Sequence, residues 1–527
     1  MKLIPRPVEY AVKEGVVGWS SSTQVTGDFP KTIEQAKQLL AQKSAGKASR
    51  LHFTEDDRLP AEGYAIKSNK DVIQVLASTE TGAFYALMSL EQLGESGEME
   101  CCFVRDDAPK YAYRSFQLDC SRHFWTVEKI KSILRLLAAV KMNTFHWHLS
   151  DDQGWRAEIK KYPLLTEKGS IRKKTQIGLV GYSRGNEPYE EKEYGRGLFY
   201  TQEQMKEVVA YAADLHIQVV PEIDMPGHMV AAIACYPELS CTGEPAEVSS
   251  RWGVMDNICC CGKENIYNFA KDVIDELCEI FPAPYFHIGG DEVPKTRWKT
   301  CPACQAKIKE LGLKDENALQ GYFNNEMAKY LRTKGKRMIG WNEVLDASDI
   351  MDTDVIAQWW VYRGSKTREL GWLEKGGNLI MSMWGYVYMD HPYNVRPLSK
   401  TYKMTAQALG IKDKKGVLGV ECPQWCEYIR TEEKLDFLSF ARIITVAEVG
   451  WTPDHKMDYK DFEGRLEALR SFFESRGWYI PPQKVYRGKA RDLATLTYAG
   501  RWNMWRKNSY WEVEWTKKHF GEIIKKK

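Results

Sequence analysis

The sequence contains no run of roughly eighteen apolar residues, the length that a membrane-spanning helix needs, so no membrane span is expected. It also lacks a strong excess of either charge: 74 Lys and Arg stand against 71 Asp and Glu, a net +3. That balance argues against nucleic acid or an anionic membrane as the main partner. The Lys-rich end, Ile523 to Lys527, reads as a solvated tail. The opening residues, Met1-Lys2-Leu3-Ile4-Pro5-Arg6, lack the apolar core of a secretory signal. The expectation is a cytoplasmic protein, or a periplasmic or extracellular one whose signal has been removed.

What the chain does have is length. Its 527 residues are too many for one ordinary core, and a barrel with one smaller domain is the simplest division. Tryptophan is abundant, with 18 residues. Indoles beyond the needs of a core often line sugar sites, although on composition alone a large core is the better account. Thirteen cysteines give a mixed signal. Cys301 and Cys304 form a C-P-A-C pair, Cys259 to Cys261 are consecutive, and Cys241 lies just upstream. Such a set can bind zinc, close disulfides or stay reduced and buried, and spacing alone does not choose among these.

Up to about residue 98 the pattern is short strands with helices. Gly63 to Ala77 reads as a strand pair turning near Asn69, and Thr81 to Leu93 as a helix. From Tyr113 eight short apolar runs follow: Ser115–Leu118, Thr144–Leu149, Gln218–Ile223, Tyr285–Ile288, Arg337–Gly340, Val355–Gln358, Asn378–Met383 and Gly416–Val420. Helical patterns separate most of them. One runs from Thr126 to Val140, and another opens at Thr201 with Gln204 placed for a capping box. Eight alternations of strand and helix predict an α/β chain built on a parallel (β/α)8 TIM barrel. The expected division is a small α/β domain over residues 1–110, the barrel over 111–478 and a C-terminal extension over 479–527. The link between the fifth and sixth strands is short, so a reduced helix is expected there. An insertion from Lys161 to Tyr200 is expected beside the barrel mouth.

In such a barrel chemistry belongs at the C-terminal ends of the strands. Here those ends carry, in order, Asp119, Arg122 and His123; His148, Asp151, Asp152 and Trp155; Glu222, Asp224 and His228; Asp291 and Glu292; Trp341 with Glu343; Trp360; Tyr388 with Asp390; and Trp425 with Glu427. Any one of these residues alone would pass as a loop residue or an ion pair. All eight strand ends converging on one rim is hard to explain as packing.

The segment Phe286-His287-Ile288-Gly289-Gly290-Asp291-Glu292 is the most informative. Two adjacent carboxylates cannot flank a sugar from opposite faces, whereas an ordinary retaining glycosidase holds its carboxyls about 5 Å apart across the anomeric carbon. Adjacency suggests another division of labour. One carboxylic acid protonates the leaving oxygen, and the other holds an internal nucleophile of the substrate, such as the carbonyl oxygen of a 2-acetamido group.

Four strings carry a family resemblance. They are Leu118-Asp119-Cys120-Ser121-Arg122-His123-Phe124, His148-Leu149-Ser150-Asp151-Asp152-Gln153-Gly154-Trp155-Arg156, Pro221-Glu222-Ile223-Asp224-Met225-Pro226-Gly227-His228 and the His-x-Gly-Gly-Asp-Glu string. Together, in this order, they closely resemble glycoside hydrolase family 20, the β-N-acetylhexosaminidases, from Tyr113 to about Trp451. The segment before them resembles that family's small N-terminal domain.

The resemblance implies a role for each matching position. Glu292 is the general acid and then base. Asp291 orients the acetamido nitrogen and offsets the charge of an oxazolinium intermediate. Tyr388 donates to the acetamido oxygen. Trp341, Trp360 and Trp425 wall the pocket, with Trp359 an alternative to Trp360. Arg122, Asp390 and Glu427 bind outer hydroxyls, and Asp151 and His228 form a relay behind Glu292. The chemistry calls for no metal and no organic cofactor, and none of the cysteines takes part in it. The expected activity is exo-hydrolysis of terminal β-linked GlcNAc or GalNAc from glycans. Release of a disaccharide, as in lacto-N-biosidase-like relatives, and a catalytically silent glycan-binding protein are the alternatives. The partner is the glycan, and a homodimer is left open.

Overall fold

The computed structural model describes residues 2–177, 189–362 and 365–488. Eight parallel strands close into a barrel in chain order: Tyr113–Asp119, Thr144–His148, Gln218–Glu222, Tyr285–His287, Arg337–Trp341, Ile356–Trp359, Asn378–Met381 and Val417–Gln424. All eight expected runs form strands. The last extends further than its apolar stretch, to Gln424, because it pairs along its length with the first strand, Gly419 through Gln424 lying against Tyr113 through Leu118.

The helices begin where their caps place them. Thr126 accepts from the Lys129 amide at 3.2 Å and starts Val127–Ala139. Thr201 and Gln204 form the reciprocal capping box of Gln202–Asp214. Between the fifth and sixth strands only the 3-10 turn Asn342–Ala347 remains, the reduced helix that the short link called for.

Side chains alternate across each strand, so every second residue enters the barrel. At the bottom, Tyr113, Val220, Ile339, Ile356 and Ile380 form an apolar plug separate from the main core. Above it the interior turns polar, with His146, His148, Glu222, Gln358 and Glu421 all fully buried. The apolar floor seals the barrel, and the polar layer is what the rim stands on.

Before the barrel lies a six-stranded mixed sheet in the order Glu9–Gly18, Glu98–Asp107, Tyr64–Ser68, Val72–Ala77, Ser49–Glu55, Thr23–Gly27. The helices Pro30–Ala41 and Glu80–Leu93 pack on it. Fully buried Arg114, on the first barrel strand, joins the two parts. Its guanidinium bonds Glu62 at 2.7 and 3.1 Å and lies 5.3 Å from the Trp451 ring centre. Trp451 in turn donates to Asp107 at 2.7 Å. The expected C-terminal extension falls, beyond Gly488, outside the described residues, as does 178–188 of the insertion. No helix among the described residues is long and apolar enough to cross a membrane.

Candidate active site

The fourth strand is three residues long, and the chain turns off it through Gly289 and Gly290 at φ +67° and +91°. Only glycine takes such angles without strain. At Gly289 space is also decisive, since a Cβ there would lie 1.8 Å from Asp224 Oδ1. The turn brings Asp291 and Glu292 to the rim, with Glu292 itself in the left-handed region at φ +46°. A non-glycine residue held there is strained, and such strain is often stored where a side chain must point in one direction.

His228, from the loop after the third strand, stands between carboxylates. Its Nδ1 lies 3.1 Å from Asp151 and 3.3 Å from Asp152, and its Nε2 3.7 Å from Glu292 and 3.9 Å from Asp291. Burial works against the imidazolium, but Asp151 and its other acidic neighbours outweigh it and hold His228 well above the usual histidine range. Glu292 shifts the other way. Burial would raise it, yet the hydrogen bond and charge of His228 bring it below its ordinary value. These opposite shifts favour the shared proton on the imidazole.

Asp291 is pushed up to about 6 by burial and by Glu292 beside it, with His228 opposing. Burial and the charge of Asp291 raise Asp224 well above the carboxylate range. That shift favours the protonated form of Asp224, which can then donate a hydrogen bond to Asp291. Asp224 Oδ1 also accepts from the Gly290 amide at 3.0 Å.

The relay continues inward. Asp151 Oδ2 takes His148 Nε2 at 3.0 Å and Arg122 Nη2 at 2.7 Å. His148 Nδ1 meets Glu222 Oε2 at 2.5 Å, and His146 lies between Glu222 at 3.1 Å and Glu421 at 3.0 Å. Burial opposes charge on both imidazoles, but these carboxylates win, raising His146 to about 9 and His148 to about 10. His146, Glu222 and His287 are close enough to surround a cation. A histidine kept protonated by two carboxylates has no lone pair for a metal, and Glu222 already accepts from Trp341 Nε1 at 2.9 Å.

Around these groups lies a cavity of 260 Å³ lined by Arg122, Asp151, Asp224, His228, Asp291, Glu292, Trp360, Trp384, Tyr388, Asp390, His391, Trp425 and Glu427. The Trp360 and Tyr388 rings stack at 5.8 Å and 16°. Glu343 fixes the Trp360 indole through a 2.8 Å bond, and Asn342 accepts from its amide at 3.1 Å. Burial raises Tyr388 well above 10, so its hydroxyl keeps its proton. The Arg122 guanidinium sits 5.2 Å from the Trp425 ring centre. Asp291 Oδ1 and Asp390 Oδ1 are buried with no hydrogen-bond partner among the described residues.

Ten of the eleven site residues expected from the sequence line this one cavity. Trp341 does not. It is fully buried and packs against Trp425 at 5.6 Å, where it supports that wall. Strand parity separates Trp360 from Trp359, which is fully buried and donates to the Val361 carbonyl at 3.2 Å. Asp224, Trp384 and His391 also line the cavity, although the sequence marks Asp224 only as a rim residue and gives the other two no role. A signal was present for Trp384, an indole three residues beyond the seventh strand. Nothing local marked the partnership of Asp224 with Asp291, which come from neighbouring strands.

Known proteins resemble this chain in sequence and fold. The model of the glycosyl hydrolase family 20 catalytic domain matches residues 111–454, and that of the family's domain 2 matches residues 1–107. A beta-hexosaminidase of Porphyromonas gingivalis is 37% identical over 486 residues, covering 85% of this chain and 59% of its own length. The chain thus spans less than two thirds of that relative. Among solved structures, a GH20 exo beta-N-acetylglucosaminidase from Vibrio harveyi, bound to N-acetylglucosamine, aligns with a TM-score of 0.79 at 30% identity, over 92% of this chain and 78% of that one. A beta-N-acetylhexosaminidase from Bacteroides fragilis aligns at 0.78 and 31%, over 91% and 97%. Two matching family models in chain order, together with these relatives, place the chain in glycosyl hydrolase family 20.

Proposed function

We propose that the protein is an exo-acting β-N-acetylhexosaminidase that removes terminal GlcNAc or GalNAc from glycans, with retention, through participation of the substrate's own acetamido group. The observation that carries this reading is the convergence of Asp291 and Glu292 on a single imidazole nitrogen. They stand side by side, not on facing walls, so they do not form an ordinary nucleophile–acid pair.

Each carboxylate then has separate work. Asp291 Oδ1, buried and without a partner among the described residues, is an acceptor for the acetamido N–H. Its negative charge offsets the positive charge that develops as the ring closes. Tyr388, held protonated, donates to the acetamido oxygen and aims it at the anomeric carbon. Glu292 supplies the proton to the leaving oxygen. That proton favours His228, and a bound sugar that strips water from Glu292 shifts it toward the carboxylate. Asp151 behind the imidazole keeps the ring in line. Water attacks in the second step with Glu292 as base, and the two inversions give retention. Arg122, Asp390 and Glu427 bind the outer hydroxyls, with Trp360 and Trp425 against the sugar.

The size of the cavity favours an exo-enzyme over a disaccharide-releasing one. At 260 Å³ it lies below the about 300–1,000 Å³ usual for drug-sized ligands, which suits one sugar unit. The orphaned acceptors and charged proton relay speak against a silent binding protein, which would need neither.

The test is kcat/KM across aryl N-acetylhexosaminides with leaving groups of different pKa. Glu292→Gln should lose activity steeply with poor leaving groups and little with activated ones. Asp291→Asn should lose about a hundredfold or more with all of them, about 3 kcal/mol of transition-state stabilisation. The reverse pattern would exchange the roles. Azide rescue of Asp291→Asn as an inverted glycosyl azide would make Asp291 a direct nucleophile and sink the reading.

A further inference from the structure

Four of the thirteen cysteines converge from three chain segments, behind the loops that carry His228 and Glu292. Cys241 follows the 3-10 turn Pro237–Leu239, and Cys260 precedes the helix Glu264–Ile280. Cys301 and Cys304 open the helix Pro302–Glu310. One sulfur from each lies within 4.8 Å of the other three. Three of the six pairwise separations are 4.0 Å for Cys241–Cys304, 3.7 Å for Cys260–Cys301 and 3.5 Å for Cys260–Cys304.

These distances discriminate between explanations. Zinc binds thiolates at about 2.3 Å, so the corners of a tetrahedral four-thiolate site stand about 3.8 Å apart. A disulfide would bring two sulfurs to about 2.05 Å and leave the others apart. Thiols that merely fill a core have no reason to gather four at a tetrahedral spacing. Cys259 and Cys261 show the contrast. Both are fully buried neighbours of Cys260, and neither belongs to the cluster.

The backbone is shaped for the same end. A Cβ on Gly262 would lie 2.3 Å from both the Ala303 carbonyl carbon and the Cys304 nitrogen, so only glycine lets the Cys260 segment approach the Cys301–Cys304 turn. Cys301 is the N-cap of its helix and Cys304 lies in the first turn, so a single helix start supplies two of the four sulfurs.

We propose that Cys241, Cys260, Cys301 and Cys304 form a structural zinc site that staples the loop after the third barrel strand to the loop after the fourth. The staple lies close to the reaction centre without joining it. The Cys259 amide donates to Pro226 O at 2.9 Å, two residues before His228, and the Trp298 indole donates to Cys259 O at 2.9 Å, six residues after Glu292. With all four positions filled by sulfur, the metal has no open site for substrate or water, so its role is to hold the loops and it is separate from the hydrolytic chemistry.

The experiment is elemental analysis of the full chain, purified under reducing conditions without chelator, with thiol titration before and after denaturation in chelator. One zinc per chain is expected, with the four cluster thiols reacting only after the metal is stripped. Cys260→Ser and Cys304→Ser should each lose zinc and melt several degrees lower. Cys278→Ser, on the helix Glu264–Ile280 and outside the cluster, should retain it. Because a ligand variant can simply misfold, exchange into Co2+ gives a second reading: intense thiolate-to-cobalt charge transfer with the visible bands of a tetrahedral ion. A zinc-free reduced protein that takes up neither zinc nor cobalt would overturn the proposal. So would an intact mass showing disulfides among these four residues, or stoichiometric zinc in both ligand variants.

Discussion

Asp291 shows how much one side chain's surroundings decide. A free aspartate is ionised well below neutrality, yet burial and Glu292 hold this one at about 6. If its anion orients the acetamido group, kcat/KM should fall about tenfold per pH unit below about 6, since that parameter follows the free enzyme's ionisations. The sign for Asp224 follows from its proton. A protonated Asp224 donates to Asp291 and favours the Asp291 anion. Asp224→Ala removes that donor, raises the Asp291 pKa and should shift the acid limb to higher pH. Asp224→Asn keeps an N–H donor and should leave the limb near its original place. Glu427, held by burial at about 7, titrates in the same range. Glu427→Gln separates the two, because an unchanged limb in that variant assigns the ionisation to Asp291.

At the scale of elements, the site depends on how a short strand ends. The adjacent carboxylates were legible in the sequence because the glycines and acids are contiguous. Their direction was not, because it arises from positive φ at Gly289, Gly290 and Glu292 against a neighbouring loop. Gly289→Ala tests that dependence. Its Cβ would collide with Asp224 Oδ1 and take a φ that alanine disfavours, so the turn must move. A displacement of about 1 Å of Asp291 and Glu292 should cost about a hundredfold in kcat/KM while circular dichroism stays that of the parent. Unchanged activity would mean that the turn relaxes without moving the acids. The helices tell the complementary story. Their starts at Thr126 and Thr201 were readable because a cap is a local hydrogen bond between residues three apart.

At the scale of the whole molecule, the barrel and the preceding sheet are joined through buried charge. Arg114 is sealed in the interface, and Glu62 is its acidic partner across it, at 24% side-chain exposure. Glu62→Ala should destabilise the protein by about 2 kcal/mol. That is less than the about 3–5 of a fully enclosed pair, because water reaches the vacated side. The readout is a lower melting temperature with kcat/KM unchanged at temperatures where the variant is folded. A loss of kcat/KM in folded protein would show that the interface also shapes the site.

The sequence by itself determined the eight strands, their order, the Thr201 capping box and most of the rim residues. Each of these is written in periodicity or in residues a few positions apart, which local physics is enough to read. Only the tertiary structure decided that Trp360 and not Trp359 faces the cavity, that Trp341 supports Trp425 from behind, and that Asp224 comes within hydrogen-bond reach of Asp291. It also chose which four of thirteen cysteines meet. Those outcomes depend on distances between segments far apart in the chain, which are fixed when the barrel closes and its loops pack over the rim.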